Sequence, residues 1–296
     1  MPPASTSEIA LLLKLAGDPG KVFKMVPRVG PGSGLKNLAR LAEAGQPAKP
    51  ASRVAYFAGC FAAYLDFEEA AATVRTLQRQ NVQVSVPQFG CCGIPAPAYG
   101  DRRSARAMAR RNIILARSLK ADAIVTSCAS CGSFLKEYAG LFKEDAETAE
   151  AAREFSAKVK DLNEFLVEIG LSTEMGTLKE KVTYHDPCHQ SRYQKIRQQP
   201  RKILKNIPGL EFVEMNESDM CCGAAGSYGF KNFDLSMKVL DRKMENVQKT
   251  GATLVASSCP ACIMQLRAGS KRRSTGIRTL SVVKLLDEVY RQKPRK

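Results

Sequence analysis

Ten cysteines divide the sequence into two sets of five with nearly the same spacing. The first set is Cys60, Cys91, Cys92, Cys128 and Cys131, and the second is Cys188, Cys221, Cys222, Cys259 and Cys262. Each cysteine of the second set follows its counterpart by 128 to 131 residues, and the sequence has no cysteine outside the two sets. This regularity indicates an internal duplication, so we expect the chain to fold into two similar units.

The sequence around the cysteines repeats as well. The segments RVAYFAGC and KVTYHDPC each lead an apolar strand into the first cysteine of a set, and DAIVTSCASC and ATLVASSCPAC each lead a strand into a CxxC motif that opens a helix. Apolar residues at steps of three and four predict helices from Phe67 to Leu77 and from Phe233 to Val247, the second closed by Gly251. Alternation over residues 82–86 predicts another strand. Strands that alternate with helices predict an α/β fold of two domains with largely parallel sheets.

This architecture predicts where the cysteines lie. In open α/β sheets, reactive groups collect at the carboxyl ends of strands, beside the amino ends of the following helices. Helix amino ends favour negative charge, so they lower thiolate pKa values and suit a thiolate-ligated cluster. The glycines in CCGIPAPAYG and CCGAAGSYG let backbone amides approach sulfur closely. We therefore expect each half to build one metal site from three of its own loops.

Composition and cysteine usage favour metal or redox chemistry over disulfides. The 296 residues are 44% hydrophobic and 25% charged, as in an ordinary globular protein that folds without disulfides. No apolar run reaches the roughly 18 residues of a membrane-spanning helix, and IALLLKLAG near the start lacks the flanks of a secretory signal. The expected location is cytoplasmic, where thiols stay reduced.

Five thiols per site restrict the choice of metal. A tetrahedral structural zinc site and a simple cubane iron–sulfur cluster each use four cysteine ligands. The surplus cysteine is then a spare, a redox thiol or a fifth ligand to a less regular cluster. Iron–sulfur binding is favoured, and zinc in at least one half stays open as an alternative.

The arrangement C…CCG…CxxC, present twice between residues 51 and 270, resembles the cysteine-rich CCG domain family. That family includes the cysteine-rich subunit of heterodisulfide reductase and the iron-sulfur subunits of glycolate oxidase, lactate oxidation complexes and anaerobic glycerol-3-phosphate dehydrogenase. The segments YHDPCH, SDMCCGAAGSYG and SSCPACIMQL look more like the dehydrogenase subunits than the methanogen reductase. The resemblance implies two tandem Rossmann-like CCG domains in which all ten cysteines bind two iron–sulfur clusters, expected as 4Fe-4S clusters of cubane or non-cubane geometry.

The predicted domain organisation has three parts. Residues 1–50 form an amino-terminal arm, Pro/Gly-rich around a short helical segment with Leu35, Leu38 and Leu41. Residues 51–175 form the first CCG domain, which ends in a helical connector, and residues 176–296 form the second.

The resemblance also implies partners and a function. Longer family members carry a ferredoxin-type module, and residues 1–50 contain no cysteine, so we expect a separate ferredoxin-like chain. No GxGxxG follows a strand, which places the flavin on a partner dehydrogenase. The leading hypothesis is an iron–sulfur electron-transfer subunit that connects a flavin dehydrogenase for a 2-hydroxy acid, lactate or glycolate, or for glycerol-3-phosphate, to a quinone or similar acceptor. The alternatives are a heterodisulfide-reductase-like subunit that cleaves a disulfide at a non-cubane 4Fe-4S cluster, and a zinc-stabilised scaffold without a redox role. No catalytic residue is assigned.

The net charge of +16 indicates a strongly basic surface. The basic clusters are DRRSARAMARR, RYQKIRQQPRK, KRRSTGIR and RQKPRK. Nucleic acid is not expected as a partner, because no binding motif is present, aromatic residues make up only 7% of the chain and there is no tryptophan for base stacking. A peripheral position on the cytoplasmic face of a membrane suits the charge, and a solvated basic surface is the alternative.

Two histidines and two tyrosines lie near the cysteine motifs. His185 and His189 flank Cys188, and either could donate a hydrogen bond to cluster sulfur or handle a proton. The alternative is a strand-end polar residue satisfied by backbone. Tyr99 and Tyr228 occupy matching places in the two repeats and are expected to pack within the domains rather than act chemically.

Overall fold

The computed structural model of the protein describes residues 34–293. Residues 1–33, which make up most of the predicted amino-terminal arm, lie outside the described residues, as do residues 294–296 at the end of the last basic cluster. The short helix predicted within the arm is present as α1, Gly34–Ala44, and it buries Leu38 and Ala42.

The first half alternates strands and helices as predicted. Its elements after α1 are β1 (Ser52–Tyr56), α2 (Gly59–Tyr64), α3 (Phe67–Arg79), β2 (Val82–Ser85), α4 (Pro95–Ala98), α5 (Arg102–Arg117), β3 (Ala123–Thr126), α6 (Ala129–Lys136), α7 (Tyr138–Leu141), α8 (Ala146–Lys158), β4 (Val159–Asp161) and α9 (Leu162–Ile169).

The second half repeats this order of strands, with a π-helix in the place of α2 and a single helix in the place of α6, α7 and α8. Its elements are β5 (Lys181–Tyr184), the π-helix (His189–Tyr193), α10 (Gln198–Lys205), β6 (Glu211–Phe212), α11 (Tyr228–Lys231), α12 (Phe233–Lys249), β7 (Leu254–Ser257), α13 (Pro260–Arg272), β8 (Arg278–Ser281) and α14 (Val282–Arg291).

The strands form two parallel four-stranded sheets with the same topology. The first has the order β2-β1-β3-β4 and the second has the order β6-β5-β7-β8. In each sheet the chain continues to one side of its first strand and then to the other, which makes the space between the two central strands a topological switch point. The matching topologies confirm the duplicated α/β fold.

The two halves share one buried core. A single apolar cluster includes Val54 and Leu77 from the first half together with Val182 and Leu286 from the second. Helix α14 at the end of the second half packs on α3 of the first, and α9 at the end of the first half packs on α10 of the second. The halves therefore exchange their last helices, and neither buries its full apolar surface alone.

Ion pairs reinforce the contact between α3 and α14. Lys284 Nζ donates to both carboxylate oxygens of Asp66 at 2.6 and 2.8 Å, and the Arg75 guanidinium binds both oxygens of Asp287 at 2.8 and 2.6 Å. Asp287 is buried, so its pairing with Arg75 compensates a charge that water does not reach.

The segment between the repeats differs from the prediction in one respect. The helical connector is present as α8 and α9, and Gly170 ends it with a φ of 83°. Between these helices lies β4, a strand that the sequence reasoning missed and that completes the first sheet beside β3. Three residues with a central lysine carry no recognisable alternation, so only pairing with β3 defines this strand. In the described part of the chain, no helix has both the length and the apolar character needed to cross a membrane.

Candidate metal centre

The cysteines lie where the strands of each sheet end. Cys60 is in the first turn of α2, which follows β1, and Cys188 comes directly before the π-helix that follows β5. Cys128 and Cys259 are the N-cap residues of α6 and α13, with extended backbone conformations. Each set is therefore at the switch point of its own sheet, beside helix amino ends that favour negative charge.

The CCG loops turn sharply and aim a backbone amide at sulfur. Gly93 and Gly223 have φ angles of 91° and 90°, which favour glycine over other residues. The Gly93 amide donates to Cys91 Sγ at 3.4 Å, and the Gly223 amide donates to Cys221 Sγ at 3.3 Å. A Cβ at Gly223 would lie 2.4 Å from the carbonyl oxygen of Ser236, so the second loop has no room for a side chain.

Every cysteine is a free thiol, and neighbouring sulfurs interact within each set. The interacting pairs of the first set are Cys60 with Cys91, Cys91 with Cys92, Cys92 with Cys131 and Cys131 with Cys128. In the second set they are Cys221 with Cys222, Cys222 with Cys262 and Cys262 with Cys259. Cys188 makes no such contact, but it lies near this set, since burial and the charges of Cys259 and Cys222 raise its pKa. The structure thus places each predicted set on three neighbouring loops.

Protons are shared unevenly among the thiols of the first set. Contact with Cys60 and Cys92, together with the Gly93 amide, lowers the pKa of Cys91 to about 3. The same contact with Cys91 and burial raise the pKa of Cys60 above its ordinary range. One thiol in such a pair ionises while its neighbour keeps its proton, because adjacent thiolates repel in a buried site.

The second set behaves in the same way around one buried thiol. Contact with Cys221 and Cys262, and with the ring of His185, lowers the pKa of Cys222 well below its usual value. Contact with Cys222 and burial raise the pKa of Cys221. A metal cluster supplies the positive charge that five closely packed thiolates need, so the donor set fits such a group.

The two sets meet where the halves pack together. The sulfurs of Cys128 and Cys259 interact, and this contact lowers the pKa of Cys259. Ser130 Oγ lies 3.5 Å from Cys259 Sγ and 3.1 Å from His189 Nδ1, and the Ala129 amide donates to the Ser258 carbonyl at 3.1 Å. Sequence reasoning missed this contact, because it depends on how the two halves pack rather than on spacing within either.

The two histidines occupy different positions. His185 is buried at the end of β5, and its ligand nitrogen lies within 4.8 Å of the sulfurs of Cys222 and Cys262. Its Nδ1 has no hydrogen-bond partner among the described residues, so backbone does not satisfy this nitrogen. The ring of His189 instead stacks near Tyr193 at 5.1 Å, with Nδ1 on Ser130. Both histidines are therefore placed to hydrogen-bond sulfur, His185 at Cys222 and His189 at Cys188, whose Sγ lies 3.8 Å from Nδ1.

A cavity of about 400 Å³ opens beside the second set. All five cysteines of this set, both histidines and Ser130 contribute to its wall. Ile94, Pro95, Ala98 and Tyr99 of the first half complete it.

The tyrosines do not pack as predicted. Tyr99 is 57% exposed and Tyr228 is 47% exposed, so the expectation of domain packing is wrong for both. Tyr99 lines the cavity of the opposite repeat, and Lys231 Nζ lies 5.1 Å from its ring centroid. The loop after the first adjacent pair ends across the boundary between the halves, which explains why Tyr99 reaches the other site.

A buried lysine near the second set was also missed. Lys243 Nζ donates to the carbonyls of Glu217 at 2.6 Å and Ser218 at 3.2 Å, in the loop that leads to the second adjacent pair. Burial lowers the pKa of Lys243 to about 8. Its position in the sequence could have indicated this burial, because Lys243 falls on the apolar face of α12 between Leu240 and Val247.

Comparison with known proteins agrees with this architecture. The family described as Cysteine-rich domain, CCG, matches residues 54–136 and again residues 182–267. The chain is 34% identical over 269 residues to the probable glycolate oxidase iron-sulfur subunit of Bacillus subtilis, which covers 89% of this chain and 60% of that protein. It is 32% identical over 244 residues to a fumarate reductase (CoM/CoB) subunit of Methanothermobacter marburgensis, covering 81% and 47%.

Two further comparisons concern length and fold. Lactate utilization protein A of a Geobacillus species is 29% identical over 238 residues, covering 79% of this chain and 99% of that protein. A crystal structure of a hypothetical protein from Helicobacter pylori has the same fold, with a TM-score of 0.62 at 12% identity, over 88% of this chain and 54% of that one. The chain spans 60% and 47% of the glycolate oxidase and fumarate reductase subunits. With both halves matched, the chain belongs to the cysteine-rich CCG domain family.

Proposed function

We propose that the chain is an iron–sulfur electron-transfer subunit of an oxidoreductase and holds one cluster in each cysteine set. All ten cysteines are the ligands in this proposal, five to each cluster. The names of the relatives support it, since one is an iron-sulfur subunit of a probable glycolate oxidase and another is a lactate utilization protein. The bound clusters supply reversible one-electron chemistry.

The chain's own residues hold and shield these groups. The Gly93 and Gly223 amides donate to sulfur, and such hydrogen bonds stabilise added negative charge. Cys92 and Cys222 are buried at the base of each set, which keeps water from that side. The ring of His185 lies beside Cys222 and Cys262, where it can donate to sulfur.

The meeting of the two CxxC turns is the observation that carries the proposal, since Ser130 Oγ lies 3.5 Å from Cys259 Sγ and the Ala129 amide donates to the Ser258 carbonyl at 3.1 Å. Clusters held on these turns would be close enough for an electron to pass between them without crossing solvent. Independent structural metal sites have no need of such a contact.

The proposed partners follow from the relatives and the charge. We propose that electrons come from a flavin dehydrogenase for a 2-hydroxy acid such as lactate or glycolate, or for glycerol-3-phosphate, with a ferredoxin-like chain in the same complex. A quinone or similar acceptor receives them. The net charge of +16 suits an acidic partner or the anionic surface of a membrane's cytoplasmic face. The domain boundary near residue 175 is part of the same proposal.

Redox cycling tests the electron-transfer function. Protein purified without oxygen is reduced with dithionite and then mixed with a water-soluble quinone while its visible absorbance is followed. We expect bleaching on reduction and recovery on addition of the quinone, and no change in a control sample whose metal was removed by a chelator. A loaded protein whose absorbance responds to neither reagent would contradict the function.

A second candidate function rests on the cavity beside the second set. Its volume of about 400 Å³ lies within the range of small-ligand pockets, and its wall carries sulfur and histidine. There a disulfide would take up two electrons, delivered one at a time by the partner dehydrogenase, and two protons, releasing two thiols. Titration of the reduced protein with a small organic disulfide distinguishes the two functions. Release of two thiols per two electrons supports disulfide cleavage, and no release removes it.

A further inference from the structure

The two cysteine sets share two of the features that ordinarily set cluster potentials. Each has one glycine amide on the sulfur of its adjacent pair, at 3.4 Å in the first half and 3.3 Å in the second. Each also keeps the second cysteine of that pair, Cys92 or Cys222, buried. Any difference in potential must therefore come from the residues around the sets.

The residues after the first strand of each repeat differ in charge and polarity. With the offset of 128 that relates Cys60 to Cys188, His185 corresponds to Phe57, and Arg192 corresponds to Tyr64. His185 faces the second set with a polar ring, and Arg192 brings a positive charge near Cys188. The first set has an apolar ring and a neutral phenol at these places.

A buried position on a helix also carries more positive charge in the second half than in the first. With the offset of 131 that relates Cys131 to Cys262, Lys243 corresponds to Asn112. Asn112 accepts from the Gly90 amide at 2.9 Å and donates to the Cys91 carbonyl at 3.0 Å, so it holds the first loop. Lys243 holds the second loop through two carbonyls. The two residues do the same positioning, but only Lys243 brings a positive charge.

One hydroxyl adds to this asymmetry across the boundary between the halves. Ser130 lies 3.5 Å from Cys259 Sγ and can donate to it. By the offset of 131, the residue of the second repeat that corresponds to Ser130 is Ala261. The alanine side chain cannot donate a hydrogen bond to a sulfur of the first set. The second set thus gains a hydrogen bond that the first lacks.

The carboxylates near Lys243 are themselves paired with arginines, one of which, Arg201, also binds Glu214 at 2.7 Å. Asp186 pairs with Arg201 at 2.6 Å, Asp219 with Arg197 at 3.4 Å, and Glu217 with Arg242. Within residues 34–293, Lys243 itself binds carbonyl oxygens and forms no ion pair with a carboxylate.

We propose that the second cysteine set holds the cluster of higher reduction potential, so that electrons run from the first repeat to the second, and that Lys243 is the main residue that sets this direction. The inference rests on the proposed function. A fixed positive charge in a buried site stabilises the added electron of a reduced cluster, which raises its potential. The electron leaves the cluster of the first set and enters that of the second, with the flavin partner as reductant and the quinone as oxidant.

The cavity agrees with this direction. It opens on all five cysteines of the second set, so an acceptor can approach the cluster at which the electrons arrive. Tyr99 forms part of the cavity wall, and Lys231 lies beside the Tyr99 ring. An aromatic ring and a cation at this place suit a planar acceptor with polar edges, such as a quinone.

The test is a redox titration of the loaded full-length protein, followed by electron paramagnetic resonance. The variant is Lys243→Gln, which keeps a donor for the loop and removes the charge. We expect the equilibrium constant for electron transfer from the first cluster to the second to fall about tenfold, a drop of about 59 mV in the second potential. The matched control is Lys238→Gln on the exposed face of α12, which should leave both potentials unchanged.

Two outcomes overturn the inference while leaving the proposed function intact. These are equal potentials in the unchanged protein, or a second potential that is the same in Lys243→Gln and Lys238→Gln. If Lys243→Gln fails to load, Arg192→Gln provides the second measurement, because it removes an exposed charge near Cys188 and keeps a side-chain donor for the Asp219 carbonyl, to which Arg192 donates at 3.0 Å. A smaller drop in the same potential is expected. If the second potential is also unchanged in Arg192→Gln, the inference is overturned. A wild-type chain without iron or sulfide contradicts the proposed function itself.

Discussion

At the residue scale, the two adjacent cysteines of each pair occupy different environments. Cys92 and Cys222 are buried against the core, while Cys91 and Cys221 are more exposed and receive the glycine amide. A vicinal pair followed by glycine therefore places one sulfur inward and one toward the loop. The sequence predicted that all ten cysteines gather into two sets, because strand ends and CxxC motifs are visible in it.

Removal of one buried sulfur tests the separation of the two sets. Cys222→Ala should cost the second set its cluster and lower the iron content by about half, with the first cluster retained, because each set takes its ligands from one repeat. Cys92→Ala is the matched variant and should spare the second cluster. Electron paramagnetic resonance and iron analysis measure this. Loss of both clusters in either variant would show that the contact between Cys128 and Cys259 makes the sites interdependent.

The buried carboxyl of Glu69 makes stability depend on pH. It accepts from Ser281 Oγ, and Lys284, Asp66 and Arg267 also lie near it. Burial raises its pKa from 4.5 to about 7. The folded protein thus binds this proton more tightly than the unfolded chain, so the contribution is complete below about pH 4.5 and is lost as the pH rises through about 7.

We expect Glu69→Gln to remove this dependence. Relative to the variant, the unchanged protein should lose about 2.5 kcal/mol of unfolding free energy between about pH 5 and pH 8. Urea denaturation of both proteins at the two pH values measures the difference. The exposed neighbour Glu68 offers a control, since Glu68→Gln should keep the wild-type dependence. A Glu69→Gln protein with the same pH dependence as wild type would refute the assignment.

Residues whose role depends on the other repeat could not be predicted. Ser130 follows Cys128 as an ordinary small residue, and only the packing of the halves brings it to Cys259. Lys243 looks like a solvated lysine unless its place on an apolar helix face is noticed. Tyr99 was expected to pack in its own domain, and it reaches the other site because its loop ends at the boundary.

At the element scale, helix α9 depends on its first residues. Asp161 caps it by accepting from the Asn163 amide at 2.9 Å, and a capping box with Glu164 completes the turn. The same carboxylate accepts from Gln190 of the second half at 3.0 and 3.1 Å. The cap of one half thus also holds a residue of the π-helix in the other.

Asp161→Ala should therefore cost more than the loss of an ordinary cap. We expect a loss of about 2–4 kcal/mol in unfolding free energy, because a cap is removed and the buried Gln190 amide loses its acceptor. Asp101→Ala, which removes an exposed cap from α5, should cost about 1 kcal/mol. Chemical denaturation of both variants measures the comparison. Equal losses would mean that the contact with Gln190 contributes nothing.

Elements with clear periodicity were predictable, and short ones were not. The strands before the cysteines and the long helices α3 and α12 follow their apolar patterns. Strand β4 has three residues, and α9 begins at once after it, so tertiary pairing rather than sequence pattern defines the boundary. The π-helix after Cys188 likewise has no distinctive signal in His189–Tyr193.

At the scale of the whole molecule, the two halves share their core and exchange their last helices. The sequence shows the duplication but not this exchange, because the apolar face of a helix does not show which half covers it. In the structure, the Asp66–Lys284 and Arg75–Asp287 ion pairs hold α14 against the first half. The meeting of Cys128 and Cys259 is a consequence of the same packing.

The shared core predicts that the halves unfold together. Calorimetry of the full-length protein should give one transition whose calorimetric and van't Hoff enthalpies agree. Arg75→Ala leaves Asp287 buried without a partner and should lower the midpoint of that single transition by several degrees. Glu68→Ala on the same helix should change it little. Two resolved transitions in the unchanged protein would contradict the shared core.

The central claim is that both cysteine sets hold iron–sulfur clusters. The most direct measurement is the content of iron, zinc and acid-labile sulfide per chain in protein purified without oxygen. The account predicts about eight iron and eight sulfide, as two 4Fe-4S clusters require, with no stoichiometric zinc. Stoichiometric zinc without sulfide would contradict it and indicate a zinc-stabilised scaffold instead.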